Sequence, residues 1–241
     1  MEQLRFTLTD ALETRQALNR YEERDSLSRI AVVGGGYGGV ELCACLARRF
    51  PHVSIELLCR QAPLQGTRAE SWINDALVSL GVDIRLNSSV VSVMKEEANV
   101  TVRCENGDAG PFDVVFWTAG SRPSRVVERL HGLQTTEGRL VTDQNLRCKS
   151  TLHEVQPIWA LGDCAVSTTP VPKTAQVAMQ QADVVASNIL AGLNDQPGKV
   201  FIYQDLGSML TLGGPNAAVL APDESQTFGP VFAPILESVN S

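Results

Sequence analysis

The chain has 241 residues, 44% hydrophobic and 20% charged, the balance of an ordinary globular protein with ample length for a core. Disorder, collagen and coiled coil are excluded, because the chain is neither charge-rich nor of low complexity. Twenty basic residues against 27 acidic ones give a net charge of −7, which argues against nucleic acid as a partner.

Asp10 and Glu13 have capping-box spacing, and the helix formers after them predict an exposed, charged helix over 10–25. Residues 29–33 (RIAVV) read as a short apolar strand, followed at once by the glycine run 34–39. Val40, Cys43, Ala44 and Ala47 recur at helical spacing and predict a helix to about Arg49, stopped by Pro51. Residues 53–58 form a second strand, and Trp72, Ile73, Ala76, Leu77 and Leu80 mark a helix ended by Gly81. Strands follow at 82–86, 89–95 and 99–104, with a turn at Asn106-Gly107, and 112–117 reads as one near-continuous apolar strand. Strand–helix–strand–helix–strand with a small antiparallel insertion predicts a parallel α/β sheet of the Rossmann type, in three layers.

Beyond Gly120, Pro123, Gly132, Gly138 and Pro157 break the chain into loops and short strands. Residues 158–161 read as an apolar strand that delivers Gly162-Asp163 at its tip. Ala175, Ala178, Ala182, Val185 and Ile189 predict a long helix stopped by Gly192. Residues 201–203, 209–212 and 217–220 read as strands, with 213–216 as a turn, and Pro222, Pro230 and Pro234 oppose a long helix near the end. The domain boundaries expected are a linker helix over 1–28, a dinucleotide-binding domain over 29–118, a further partial domain over 119–198, and the start of a terminal domain over 199–241.

No run of about 18 apolar residues occurs, so no transmembrane helix is expected. The N-terminus lacks an apolar signal core and carries Glu2, Asp10 and Glu13, so the chain reads as a mature protein or as an internal piece of a longer one. Cys43, Cys45, Cys59, Cys104, Cys148 and Cys164 form no C-x-x-C pair, and His52, His131 and His153 lie far apart. Neither a redox dithiol nor a metal site is written here.

Gly34-x-Gly36-x-x-Gly39 follows a strand and opens a helix, the context that a dinucleotide fingerprint requires. Gly34 permits a tight turn, Gly36 lets a pyrophosphate approach the backbone, and Gly39 lets the helix pack close on the strand. Tyr37 and Gly38 complete the loop assigned to the cofactor. The ribose discriminator belongs roughly 20 residues past the last glycine. That position reads Cys59-Arg60, with no acid for the 2′-hydroxyl of NAD. Arg60, with Arg68 as helper, suits the 2′-phosphate of NADP, so NADP is favoured over NAD; otherwise Arg60 is a solvated loop residue. Glu41, placed in the first turn of the helix, either favours the helix dipole or faces the nicotinamide.

In the second half, WTAGSRP (117–123) joins a strand to a loop through Thr118 and Gly120. IWALGDCA (158–165) presents Asp163, and PKTAQVAMQQ (172–181) places Gln176 and Gln180 four apart on one helix face. Singly, Asp163 is a cap or turn residue and the glutamines are surface residues.

The order GGGYGGVE, WTAGSRP, IWALGDCA, PKTAQVAMQQ, and then the stretch 201–213, resembles the type II NAD(P)H dehydrogenases, non-pumping flavoproteins with two dinucleotide-binding domains. The cyanobacterial and chloroplast branch is the nearest match, and the resemblance covers about residues 5–220. It implies hydride transfer from NAD(P)H to FAD and reduction of a quinone, at the periphery of a plastid thylakoid or cyanobacterial-type membrane. A homodimer or a larger assembly is compatible with it. By resemblance, Gly34, Gly36 and Gly39 hold the NAD(P) pyrophosphate, and Glu41 lies near nicotinamide and quinone and assists proton delivery. Gly162 and Asp163 bind the ribityl–phosphate region of FAD, Ala175, Gln176 and Val177 lie against the flavin, and Gln176 and Gln180 line the quinone pocket. The family begins with a first G-x-G-x-x-G for the FAD adenine half, whereas this sequence holds one such motif, the second in family order. FAD binding then depends on that half being supplied. The alternatives are a flavin-less NAD(P)-binding or structural subunit of a larger assembly, and a disulfide or ferredoxin reductase, the former disfavoured by the lack of C-x-x-C.

Overall fold

The computed structural model describes residues 8–23, 26–95, 99–121, 123–152, 157–214, 217–220 and 226–229. His153, the second half of the 213–216 turn, the end of the helix expected over 10–25, and Pro222, Pro230 and Pro234 lie outside them. In chain order the first elements are α1 (Leu8–Glu23), β1 (Arg29–Val33), α2 (Tyr37–Arg49), β2 (Ser54–Leu58), α3 (Glu70–Ser79) and β3 (Val82–Arg85). Next come β4 (Val90–Lys95), β5 (Val100–Cys104), β6 (Gly107–Phe112), β7 (Val114–Trp117), α4 (Arg125–Glu128), β8 (Thr135–Thr136) and β9 (Arg139–Val141). A 3-10 turn at Gly162–Cys164 leads to β10 (Ala165–Val166), α5 (Ala175–Leu193), β11 (Ser208–Thr211), β12 (Ala217–Leu220) and β13 (Gln226–Gly229). Two compact units result: the chain up to Ala119 together with the stretch from Gly207, and Gly120–Leu206 between them.

The first unit is built on a parallel sheet in the order β3-β2-β1-β7. Alternation along β1 sends its side chains to two different cores. Ile30 and Val32 join α2 and α3 through Val40, Cys43, Ala47, Ile73 and Leu77. Ala31 and Val33 face the antiparallel β4-β5-β6 sheet through Val102, Cys104, Ala109 and Phe112. Strands buried on both faces read as continuous apolar runs, as β1 does. The β11–β12 hairpin adds Leu210, Leu212, Ala218 and Leu220 to the α2 side, so it completes that core.

Charge is also buried here. Glu56 on β2 is 4% exposed. Its Oε1 meets Arg29 Nη2 at 2.5 Å and its Oε2 meets Arg85 Nη1 at 3.0 Å, one arginine from each neighbouring strand.

Residues 112–117 are two strands rather than one. Asp113 interrupts them, because its Oδ2 accepts from the Ser28 N–H (2.8 Å), the Ser28 hydroxyl (3.0 Å) and the Arg29 N–H (2.8 Å). β6, with Gly107, Gly110 and Pro111, has no strand-like pattern and forms by pairing with β5.

The second unit holds a β8–β9 hairpin with β10 parallel to β9, and α5. Val177, Gln181, Val185 and Asn188 form the buried stripe of α5, beside Leu146 and Phe201. Residues 158–161 are not a strand; they make one isolated bridge, Trp159 to Arg147. Nor are 201–203, where the Phe201 N–H donates to the Gln144 carbonyl at 2.8 Å and side chains hold the residues around it. Asn188 Nδ2 donates to the Lys199 carbonyl (3.0 Å), and its Oδ1 accepts from the Lys199 N–H (2.6 Å). Gly192 does not stop α5, which runs to Leu193. A glycine in a helix costs only about 1 kcal/mol relative to alanine.

Candidate functional site

The chain passes from β1 outwards to β2 and β3, then returns to pair β7 on the other side of β1. That reversal makes a topological switch point, and the crevice at the carboxyl ends of β1 and β7 is where open α/β sheets bind ligands. Gly34 lies in this crevice with φ +115°, a conformation that favours glycine. A Cβ on it would lie 2.9 Å from Ala119 N and 3.0 Å from Thr118 Oγ1. Gly39 is tighter, since a Cβ there would sit 1.9 Å from the Gly34 carbonyl oxygen. Thr118 fixes this packing by donating its hydroxyl to the Val33 carbonyl at 2.9 Å.

Gly36 and Gly38 behave differently. A Cβ on either would meet nothing within 4 Å, and both are exposed. Gly36 is the N-cap of α2 and supplies no side-chain cap, so the first N–H groups of the helix are left for a ligand. Tyr37, the first helical residue, is also exposed. Arg60 is exposed just past the carboxyl end of β2. The segment after it returns to the glycine loop, where the Leu64 N–H donates to the Gly35 carbonyl at 2.9 Å. Gly34, Gly36, Gly38, Gly39, Tyr37, Thr118 and Arg60 thus stand at one end of one sheet.

Glu41 is not in the first turn of α2, because the helix begins at Tyr37 and its first turn holds no acid. The dipole reading is therefore set aside. Its half-buried carboxylate instead accepts two hydrogen bonds on Oε1, from the Thr211 N–H (3.0 Å) and the Thr211 hydroxyl (3.3 Å). Two turns further along the same face, Arg48 Nε donates to the Leu212 carbonyl at 2.8 Å. Burial pushes the Cys43 thiol up to about 12, with Cys59 nearby adding to the rise, and pushes Cys59 up to about 11. Both are buried thiols, held protonated at neutral pH.

In the second unit, Gly162, Asp163 and Val177 line one cavity of about 240 Å³ with Arg139, Lys173 and Gln181. Gly162 takes φ +65°, which lets its N–H turn to Gln181 Oε1 at 2.7 Å. Arg139, 4% exposed, donates from Nε to the Asp163 carbonyl (3.0 Å) and from Nη2 to the Ser121 carbonyl (2.7 Å). The Asp163 carboxylate stays exposed. Thr174 caps α5 by accepting from the Val177 N–H at 3.3 Å, which points the start of the helix, with Ala175 first, at this cavity. Gly120, with φ +78°, is an exposed turn residue.

Gln176 and Gln180 are engaged elsewhere. Gln176 Oε1 accepts from the Tyr203 hydroxyl (2.5 Å) and the Leu206 N–H (3.2 Å). Gln180 accepts from the Gln204 N–H (3.0 Å) and donates to the Gln204 carbonyl (2.8 Å). Both hold the 203–206 segment along α5. Arg139, Gln181 and Thr211 have no place among the residues read from sequence. For Gln181 a signal existed, since it occupies an apolar register position between Val177 and Val185. Among the described residues no cluster of histidine, cysteine and acids could hold a metal.

The family described as pyridine nucleotide-disulphide oxidoreductase matches residues 1–182. A demethylphylloquinone reductase, NdbB, from Synechocystis is 34% identical, over 88% of this chain and 54% of its own length. An alternative NAD(P)H-ubiquinone oxidoreductase of Arabidopsis thaliana, described as chloroplastic/mitochondrial, is 30% identical over 89% of this chain and 46% of its own. A type II NADH:quinone oxidoreductase of Staphylococcus aureus is 29% identical over 84% and 54%. The chain spans about half the length of these curated relatives, and they bear out the resemblance to type II NAD(P)H dehydrogenases. Among solved structures, NDH2 from Plasmodium falciparum in complex with NADH superposes with a TM-score of 0.76 at 16% identity, over 97% of this chain and 67% of that one. A NAD-dependent persulfide reductase from A. fulgidus gives 0.66 at 21%, over 90% and 39%. Both likenesses show the α/β fold. With a matching family that covers residues 1–182, the chain belongs to the pyridine nucleotide-disulphide oxidoreductases.

Proposed function

We propose that the chain binds NAD(P)H at the carboxyl ends of β1 and β7 and works within a flavin-dependent NAD(P)H:quinone oxidoreductase. The observation that carries this is the division of labour among the glycines. Gly34 and Gly39 leave no room for a side chain, whereas Gly36 and Gly38 face open space at an uncapped helix start. That is the steric signature of a backbone approached by a pyrophosphate. The relatives named above support the quinone as acceptor.

The residues of the second unit fit part of a flavin dinucleotide. Its cavity of about 240 Å³ combines a helix start, a buried arginine, Lys173 and an exposed carboxylate, a donor set suited to ribityl hydroxyls and phosphate. A bound flavin supplies hydride acceptance and onward transfer of two electrons. The protein's own part is to bind, orient and exclude water. In this reading the α2 N–H groups hold the pyrophosphate, and Arg60 with Arg68 takes a 2′-phosphate, which favours NADPH over NADH. Glu41 offers an acceptor to the nicotinamide end. Asp163 accepts from ribityl hydroxyls, and Ala175 to Val177 border the ring. Gln176 and Gln180, oriented by the 203–206 segment, offer amides to the quinone carbonyls. The cyanobacterial and plant relatives favour work at a thylakoid or similar membrane surface. No helix among the described residues is long and apolar enough to cross a membrane, so peripheral contact fits, alone or in an assembly.

The test compares NADPH and NADH binding by calorimetry, and the visible spectrum of the purified chain. NADPH is expected to bind tighter by about tenfold, and Arg60→Ala to remove the difference, as loss of a charge-assisted hydrogen bond predicts. Equal affinities in the wild type refute the NADP preference. With the FAD-adenine half supplied, a flavin band is expected, weakened in Asp163→Ala. NADPH binding with no flavin band, even after added FAD, would sink the flavoenzyme reading for this polypeptide and leave an NAD(P)-binding subunit.

A further inference from the structure

β11 is an edge strand, since its sheet runs in the order β11-β12-β13. An edge strand presents outward N–H and C=O groups that need partners. α2 supplies them. Glu41 takes the Thr211 N–H at the end of the strand, and Arg48 takes the carbonyl of Leu212, the residue just past it. Thr211 adds its hydroxyl to the same carboxylate oxygen at 3.3 Å. Two donors converging on one oxygen restrict the rotation of a carboxylate more than one donor does. A single bond leaves rotation about it. Both bonds fall on Oε1, and Oε2 accepts none from the described residues. Glu41 lies one turn into the helix whose start forms the cradle.

We propose that Thr211 is a positioning residue for the dinucleotide site, anchoring Glu41 through Oε1 so that Oε2 is presented as the acceptor for the carboxamide N–H of a bound nicotinamide. The inference rests on the reading of Gly34–Gly39 as the NAD(P) cradle. It reaches a residue 170 positions away in sequence, with no motif of its own. The hydroxyl carries the orientation, because the backbone N–H alone would survive any substitution. Thr211→Val keeps the shape and the N–H bond and removes only the second donor. Thr211→Ser restores it.

The experiment measures dissociation constants on the full chain for three probes. NADPH carries the carboxamide, its acetylpyridine analogue has a methyl ketone there, and 2′-phospho-ADP-ribose lacks the ring. Thr211→Val is expected to weaken NADPH about fivefold, the order of one net hydrogen bond. The other two probes should bind as they do to wild type, and Thr211→Ser should bring NADPH back. In a chain carrying Glu41→Ala, Thr211→Val should add nothing. Equal weakening of all three probes would show that Thr211 merely holds the hairpin, and overturns the proposal. So would an unchanged NADPH affinity. If wild type binds none of the three, the cradle reading fails first and takes this proposal with it.

Discussion

Gly36 and Gly39 stand three residues apart in one glycine run and should answer the same substitution in opposite ways. A methyl at Gly39 would sit 1.9 Å from the Gly34 carbonyl, so the helix must move off the strand. Gly39→Ala is expected to cost about 3 kcal/mol, the upper end of overpacking, and to lower the melting temperature. Gly36→Ala meets nothing, and its φ of −79° suits any residue. Its stability should hold within about 0.5 kcal/mol while NADPH affinity falls. A stability loss in Gly36→Ala equal to that in Gly39→Ala would remove the ligand as the reason for the open position.

The buried thiols carry a second prediction at this scale. Burial raises Cys43 to about 12, and Cys59 and Cys148 to about 11, from an ordinary 9.0. In the unfolded chain these thiols ionise near pH 9, whereas the folded protein keeps them protonated. The stability this represents is whole below pH 9 and is lost as the pH climbs towards 11 to 12. Urea midpoints should fall between pH 8.5 and about 10.5, and less so in a Cys43→Ala, Cys59→Ala chain. An identical slope in that chain would assign the fall to other groups. Exposed Cys45 should alkylate first in native protein.

At the scale of elements, β1, β2 and β3 are joined by more than their ladder. Glu56 bridges Arg29 and Arg85 across both interstrand gaps. Glu56→Ala leaves two guanidinium groups facing each other and should destabilise by about 2 kcal/mol. The loss stays modest because both arginine side chains reach solvent, at 37% and 42% exposure. Chemical denaturation measures it, and a change under about 0.5 kcal/mol would make the bridge ornamental. Elements set by local pattern were legible from sequence, as β1, α2, α3 and α5 show. Those set by distant partners were not. The break at Asp113 depends on Ser28, and 201–203 pairs with no strand because its partners are the Gln144 carbonyl and the Gln176 side chain. The strand–glycine-turn–helix of 29–49 was legible for the same local reason. Arg139 and Thr211 were hidden because their partners lie 18 to 170 residues away.

At the scale of the whole chain, the net charge of −7 sets a negative background in which the exposed Arg60 is a local positive charge. The first unit is discontinuous: it takes its sheet from residues before Ala119 and its closing hairpin from residues after Gly207. Leu210, Leu212, Ala218 and Leu220 fill the α2 side of its core. During synthesis, therefore, the β3-β2-β1-β7 sheet leaves the ribosome with that side of α2 bare, and it stays bare until the whole of the second unit has followed. Glu41 and Arg48 wait unpaired for the same interval. The order of translation thus makes the α2 side of the sheet the last part of the first unit to be covered, and an apolar face exposed that long is open to aggregation.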